Sequence, residues 1–216
     1  MSRFLKVVLL ALAVTAAIVT IRGVSVGPTE APVERVTFEV DAAGATSRFR
    51  QALRFRTIST QNGDVDTATF LGLHEHLRVS FPLVHQHLTR EVFELGLIYR
   101  WPGRDAAKSP IVLMGHLDVV PIAPGTESAW THPPFDGVLD GDWIYGRGTL
   151  DDKSTVMAVL ESVESLLKSG FTPERTVILQ FGHDEEVGGV KGAQAMVAKL
   201  VGEGVKPGLV LDEDRK

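Results

Sequence analysis

The sequence predicts an α/β domain in which a mostly parallel sheet is flanked by helices. Short apolar runs with the length of buried strands occur at 110–115, 176–181 and 208–211. Amphipathic helical patterns at 153–168 and 190–201 lie between them. Strands that alternate with helices are joined by crossover connections, which favour parallel pairing.

The segments before and between these runs complete the predicted order. Apolar residues recur at helical spacing in 47–55 and 70–81, which predicts two opening helices. Residues 91–101 alternate or run apolar and predict one strand. The Asp-Gly pair within 137–145 predicts a hairpin.

The first 23 residues differ in composition from the rest of the chain. Arg3 and Lys6 precede an almost unbroken apolar run at 7–21, which is typical of a membrane-directed segment. The run is shorter than the roughly 20 residues of a spanning helix, and no clean small-x-small cleavage site follows it. The residues therefore leave both a signal peptide and an uncleaved anchor open. The basic flank predicts that the following domain lies on the non-cytoplasmic side.

Composition excludes several classes of function. The formal charge of -5 in 216 residues provides no basic field for phosphates, which argues against nucleic acid as a partner. The chain has no cysteine, so disulfide frameworks and thiolate metal sites are excluded. Any metal must therefore be held by His, Asp and Glu.

Histidine and acidic residues follow the predicted strands, where open α/β sheets place their ligand sites. His116 and Asp118 come directly after the run at 110–115. Residues two apart in extended chain share a face, so Asp118 can accept a hydrogen bond from the second ring nitrogen of His116. A His-x-Asp pair is also an ordinary surface feature, and the pair alone does not decide between the two.

A second cluster, Asp151 and Asp152, lies at the start of the strongest helical pattern. Gly146 and Gly148 before it permit a tight backbone approach, and a carboxylate there could bridge two cations. Adjacent carboxylates at a helix start also form ordinary N-caps. For Asp152 that alternative remains open.

Two further acidic groups follow the later strands. Asp184, Glu185 and Glu186 repel one another, so either solvent or a cation must offset their charge. One glutamate that binds metal beside one that takes a proton from water is an arrangement suited to hydrolysis. Asp212 follows the run at 208–211 and could complete a metal site, or it could belong to a solvated acidic end.

Four ordered motifs contain most of these clusters. They are His116-Leu117-Asp118-Val119-Val120-Pro121, Trp130-Thr131-His132-Pro133-Pro134-Phe135, Gly146-Arg147-Gly148-Thr149-Leu150-Asp151-Asp152-Lys153 and Gly182-His183-Asp184-Glu185-Glu186-Val187-Gly188-Gly189. These motifs resemble the signatures of the aminoacylase and carboxypeptidase family of co-catalytic zinc peptidases. The branch that they resemble most is that of carboxypeptidase S and the secreted N-acyl amino acid hydrolases, and the resemblance runs from about Phe49 to Asp214.

The resemblance implies a set of metal ligands. His116 and Asp212 would hold one zinc ion, Asp151 would bridge both ions, and Glu186 would hold the other. Two Zn²⁺ ions would occupy a complete site, although the same donors also accept cobalt or manganese.

The resemblance also implies roles around the metals. Asp118 would orient His116, and Glu185 would be the general base. The family carries a non-proline cis peptide after the bridging aspartate, here between Asp151 and Asp152. The implied activity is that of a zinc metallopeptidase or amidohydrolase that cleaves an amide next to a free carboxylate, in a small peptide or an N-acyl amino acid.

The chain departs from the family pattern in two ways. The family has a further histidine ligand far downstream, whereas the last histidine here is His183. The lid or dimerisation domain is also missing, so a homodimer is expected only with that domain. The sequence thus predicts a signal peptide or anchor at 1–23, a linker at 24–42 and a partial catalytic metallohydrolase domain at 43–216. The alternative function is a catalytically incompetent metal-binding fragment.

Overall fold

The computed structural model describes residues 3–25 and 40–213. The chain divides into two compact units, Met1–Glu39 and Val40–Lys216. Helix α1 (Arg3–Ser25) lies in the first. Across the described residues, no helix combines the length and apolar character needed to cross a membrane. Most of the predicted linker lies outside the described residues.

The second unit is built on strands that form one five-stranded sheet and one hairpin. In chain order the strands are β1 (Thr89–Phe93), β2 (Gly96–Trp101), β3 (Ile111–His116), β4 (Val138–Asp140), β5 (Trp143–Tyr145), β6 (Val177–Gly182) and β7 (Leu209–Leu211). The sheet order is β1-β2-β6-β3-β7, and β4 pairs with β5. β3 is parallel to both β6 and β7, whereas β1, β2 and β6 are joined by antiparallel pairing. The parallel centre confirms the predicted α/β class, with an antiparallel pair added at one edge.

Helices cover both faces of this sheet. They are α2 (Ala42–Ala52), α3 (Thr67–Ser80), α4 (Pro82–His87), α5 (Lys153–Lys168) and α6 (Ala195–Gly202). The larger core packs α2 to α5 against one face through residues that include Phe70, Leu77, Phe81, Val156, Leu160, Leu179 and Phe181. The smaller core packs α6 against the sheet through Ile98, Val112, Ile178, Met196 and Leu200.

The segment predicted as one strand at 91–101 is instead the hairpin of β1 and β2. Phe93 pairs with Gly96, and the turn between them places Glu94 at a positive φ of 55°. A glutamate is an unusual residue for this conformation, so the sequence lacks the Gly or Asn signal that marks such turns. The apolar pattern therefore reads as continuous across the turn.

One helical prediction needed correction, and one helix was missed. The pattern at 190–201 begins as a π-helix over Val190–Gln194 and becomes α-helical only in α6. Helix α4, which has Pro82 at its start and six residues, was not predicted because it is too short for a clear periodicity. The helices at 47–55, 70–81 and 153–168 correspond to α2, α3 and α5.

The pairing of β3 with β6 fixes the location of the predicted clusters. His116, the last residue of β3, is in register with Gly182, the last residue of β6. Parallel strands end at the same edge, so the residues that follow both strands meet there.

Candidate metal centre

His116 is the centre of the polar cluster at this edge. Its side chain is buried, and its Nε2 donates to Oδ1 of Asp151 at 2.8 Å. On the other side of the ring, Nδ1 lies 3.1 Å from the carbonyl oxygen and 3.2 Å from Oδ1 of Asp118. Burial alone would lower the pKa of His116, but the hydrogen bond and charge of Asp118, with the bond to Asp151, raise the pKa to about 10. The surrounding acids thus favour a positive charge at this position.

Asp118 connects His116 to the segment after β6. Its fully buried carboxylate accepts the backbone N–H of Glu185 at 3.1 Å and that of Glu186 at 3.2 Å. Burial would raise the pKa of Asp118, but its bond to His116 and these backbone donors lower it. The carboxylate therefore stays charged and ties two strand ends together.

Glu185 and Glu186 begin a single 3₁₀ turn, Glu185–Val187. Oε1 of Glu186 accepts the N–H of Val120 at 3.2 Å, and burial, with the nearby charge of Asp151, raises the pKa of Glu186. Possible ligand atoms of His116, Asp151 and Glu186 all lie within 4.8 Å of one another. The Glu185 side chain is half exposed, with Oε2 3.8 Å from Nε2 of His116.

Asp184 points away from this group, which resolves the repulsion expected of three consecutive acids. Its carboxylate is buried and accepts the backbone N–H groups of Lys191 and Gly192, each at 2.8 Å. A Cβ on Gly192 would collide with Oδ1 of Asp184. Asp184 thus stabilises the start of the π-helix, while its two neighbours face the cluster.

The peptide bond between Asp151 and Asp152 is cis, which confirms the feature implied by the resemblance. The Asp151 side chain is 70% exposed, whereas Asp152 is buried. Asp152 occupies the N-cap position of α5 but makes no side-chain cap hydrogen bond. Its Oδ2 instead accepts the N–H of His116 at 3.2 Å, and a Cβ on Gly115 would lie only 2.8 Å from that oxygen. The N-cap reading of Asp152 therefore does not account for its carboxylate.

The structure does not bring Asp212 to the cluster and places Glu213 there instead. Asp212 is exposed, and its Oδ1 accepts the N–H of Glu213 at 3.0 Å. Glu213 joins His116 and Asp152 in a second group of possible ligand atoms within 4.8 Å. Burial and the hydrogen bond to Asp212 raise the pKa of Glu213 to about 8. Its buried Oε2 has no hydrogen-bond partner within the described part of the chain.

Sequence reasoning missed Asp152 and Glu213 as members of these groups. For Glu213, the sequence showed consecutive acids after a short strand, but it did not indicate which of them faces the site.

Lys153 supports the site from within the fold. Its buried Nζ donates to the carbonyl groups of Ala52 at 3.2 Å and Phe55 at 2.5 Å, and burial lowers its pKa to about 7. These bonds fasten the start of α5 to the end of α2.

A short extended segment beside the residues that follow β3 completes the surroundings of the cluster. Thr57 Oγ1 donates to the carbonyl of Leu117 at 2.6 Å, and Ser59 Oγ donates to the carbonyl of His183 at 3.0 Å. Both side chains are buried. This segment therefore fixes the chain on either side of the two strand ends.

Comparison with known proteins identifies relatives of this chain. Residues 112–214 match the model of peptidase family M20/M25/M40. The probable carboxypeptidase S-like 2 of Dictyostelium discoideum is 47% identical over 150 residues, which cover 68% of this chain and 28% of that protein. The N-fatty-acyl-amino acid synthase/hydrolase PM20D1 of Xenopus tropicalis is 40% identical over 165 residues, which cover 75% of this chain and 32% of that protein.

A solved structure supports the same relationship. The M20 family metallo-carboxypeptidase Sso-CP2 of Sulfolobus solfataricus superimposes with a TM-score of 0.63 at 25% identity. The match covers 79% of this chain and 37% of that structure. The chain thus spans roughly a third of the length of the relatives it matches.

Proposed function

We propose, from the match of residues 112–214 to the model of peptidase family M20/M25/M40, that the chain forms the metal-binding part of a hydrolase active site. The proposed reaction is cleavage of an amide next to a free carboxylate, in a small peptide or an N-acyl amino acid. The observation that carries the proposal is the grouping of His116, Asp151 and Glu186 at the sheet edge, with possible ligand atoms within 4.8 Å of one another. The names of the relatives include both carboxypeptidases and an N-acyl amino acid hydrolase.

The donor set fits divalent metal ions. An imidazole nitrogen with several carboxylate oxygens is a donor set that zinc accepts, as do cobalt and manganese. Burial and then the charge of Asp151 raise the pKa of Glu186, and the acids Asp118 and Asp151 raise that of His116. A bound cation would offset the negative charge of these acids. We propose two zinc ions in a complete site, held by His116, Asp151 and Glu186. The sequence predicts Asp212 as the fourth ligand residue, whereas the positions of the side chains favour Glu213.

A bound metal would supply Lewis acidity for the carbonyl and make water a stronger acid. Glu185 would take the proton from the attacking water and pass it to the departing amine, because its half-exposed carboxylate lies beside His116. Asp118 would hold His116 and Glu185 in place, because its carboxylate accepts hydrogen bonds from the His116 ring and from the backbone N–H of Glu185. The exposed side chain of Asp151 would be accessible to both metal ions.

Replacement of Glu185 tests this assignment. Glu185→Gln should lower turnover by about 10² to 10⁴, because a positioned base contributes about that much. Zinc binding should be retained, since Glu185 is not among the proposed ligands. The assay uses zinc-loaded protein and a panel of dipeptides and N-acyl amino acids, with Glu127→Gln as a matched control at an exposed glutamate.

Near-normal turnover by the Glu185→Gln variant would remove Glu185 from the role of base. The same panel separates hydrolysis from the alternative function of metal binding alone. Zinc binding by the unmodified chain without turnover of any substrate would favour that alternative.

We also propose that residues 43–216, the metallohydrolase domain, act on the non-cytoplasmic side. Arg3 and Lys6 before the apolar run support this orientation. Residues 1–23 would direct export and 24–42 would serve as a linker. Protein made from its own start should be found with membranes or in the exported pool, and recovery of intact protein in the cytosol would contradict the proposal.

A further inference from the structure

Three arginines at and just beyond the end of α2 line one cavity on the surface of the second unit. The cavity has a volume of about 670 Å³. Its lining consists of Arg50, Arg54, Arg56, Phe135, Asp136 and Val138. Three guanidinium groups therefore share this space with a single acidic residue.

Two of the arginines are bonded through Nε, and the third lies over an aromatic ring. Arg50 Nε donates to the carbonyl of Gly137 at 2.7 Å, and Arg54 Nε donates to the carbonyl of Asp136 at 3.2 Å. The guanidinium carbon of Arg56 lies 4.7 Å from the ring centroid of Phe135. Backbone carbonyls and an aromatic face thus position the groups without neutralising their charge.

The lack of acidic partners distinguishes these arginines from others in the fold. Within residues 3–25 and 40–213, no carboxylate oxygen lies within 4.0 Å of a guanidinium nitrogen of the three. By contrast, Arg48, on the same helix as Arg50, forms a 2.6 Å bond to Glu161. Among the described residues, the three arginines therefore carry their charge without an ion pair, although Asp136 also lines the cavity.

Two acids of a neighbouring cavity are engaged with other groups. Arg54 and Arg56 also line an adjoining cavity that contains Asp64 and Asp66. Asp66 caps α3 by accepting from the backbone and hydroxyl of Thr69, and Asp64 accepts from the side chain of Asn62. Neither acid forms an ion pair with the arginines among the described residues.

We propose that these three arginines, which we call the arginine cradle, bind a phosphate-type oxyanion. The ligand is either a free phosphate group or the phosphomonoester headgroup of an anionic lipid. Guanidinium groups match phosphate oxygens with paired hydrogen bonds, and fixed Nε positions reduce the ordering cost of binding. The cradle is built from side chains other than the proposed metal ligands, so it does not depend on the proposed hydrolase function.

A double substitution tests the cradle. Arg54→Gln with Arg56→Gln removes the two exposed guanidiniums but leaves the half-buried Arg50 and its bond to Gly137. The control, R78Q with R104Q, removes the same charge from exposed positions elsewhere, where Arg78 pairs with Glu75. All proteins are stripped of metal, so that phosphate cannot bind through a metal ion.

Two probes distinguish the ligand sources. Inorganic phosphate is titrated by calorimetry, and flotation is measured with phosphatidylcholine vesicles with and without phosphatidic acid. The double variant should lose about 100-fold in affinity, roughly tenfold per arginine, while the control changes by less than about threefold. R54K with R56K retains the charge without the paired geometry and should lose about tenfold.

If the double variant loses phosphate binding and the control does not, the cradle is a site for the free anion. Loss of phosphatidic acid dependent flotation without phosphate binding supports the lipid headgroup. Equal losses in the double variant and the control, or an unmodified chain that responds to neither probe, would overturn the proposal. Circular dichroism checks that the variants are folded, and the lysine variant retains the test if the glutamine variant is not.

Discussion

The two sides of the ligand-bearing sheet edge differ in how firmly the fold holds their acids. After β3 and β6, the buried Asp118 accepts from His116 and from two successive backbone N–H groups. After β7, Asp212 is exposed, and all three residues of the strand before it are exposed. An aspartate that follows a strand is therefore fixed by buried hydrogen bonds in one case and is exposed in the other.

This contrast shows what positions a candidate ligand. Spacing along the chain brings an acid to the correct edge, but buried hydrogen bonds decide where its carboxylate points. Asp118 supplies those bonds for Glu185 and Glu186, whereas the end of β7 has no comparable buried acceptor among the described residues.

The largest expected effect comes from removing the acceptor on the firmly held side. Asp118→Ala should lower the free energy of unfolding by about 3 to 5 kcal/mol, because a buried imidazole and two backbone donors lose their partner. Asp212→Ala should change it by less than about 0.5 kcal/mol, as is usual for exposed positions. Urea denaturation followed by circular dichroism measures both, and similar losses in the two variants would break the comparison.

Metal affinity gives a second test of the same contrast. Glu186→Gln should weaken zinc binding by about 100-fold, because it removes a proposed ligand. Glu213→Gln should weaken binding more than Asp212→Asn, since Glu213 groups with His116 and Asp152. Calorimetric titration at fixed pH compares the variants. A larger loss for Asp212→Asn would restore the sequence prediction and show that the end of β7 rearranges around metal.

A smaller effect should appear in the pH dependence of folding, through His74 of α3. Its Nε2 donates to the carbonyl of Leu95 at 2.9 Å, and burial lowers its pKa to about 4. Below its ordinary pKa of 6.5 the unfolded chain gains a proton that the folded chain does not, so stability falls as pH falls from about 6.5 to 4.

The contribution of His74 between pH 7 and pH 5 is about 2 kcal/mol. His74→Gln should reduce the pH dependence of the unfolding free energy by about that amount, whereas replacement of the exposed His87 should leave it unchanged. If the unfolding free energy of the His74 variant depends on pH as it does in the unmodified chain, other buried groups determine the acid sensitivity.

Local patterns predicted much of the fold because its main elements are long or strongly apolar. Helix α5 follows 153–168 closely, and the three parallel strands coincide with the three apolar runs. The errors arose where a turn or a cap overrides the pattern. Glu94 adopts a turn conformation that its residue type does not signal, and Asp184 organises a π-helix through a side chain outside it.

The site was predicted as far as spacing determines geometry. Two residues of extended chain place Asp118 at the ring of His116, as observed. The bonds from Asp118 to Glu185 and Glu186 depend on the register of β3 against β6, which sequence patterns do not contain. The choice between Asp212 and Glu213 depends on a side-chain direction at the end of an exposed strand.

The hydrogen bond from Ser59 to the carbonyl of His183 joins residues 124 positions apart, and this separation bears on the order of folding. Closing so long a loop costs conformational entropy before the contact repays it, which makes high contact order regions form late. We therefore expect the amides of Glu185 and Glu186, which donate to Asp118 67 and 68 residues away, to gain protection from hydrogen exchange only in the final folding phase, after α5 has formed. Pulse-labelled exchange during refolding would measure this delay, which would leave the acids of the centre unassembled and apart while the helices are already in place.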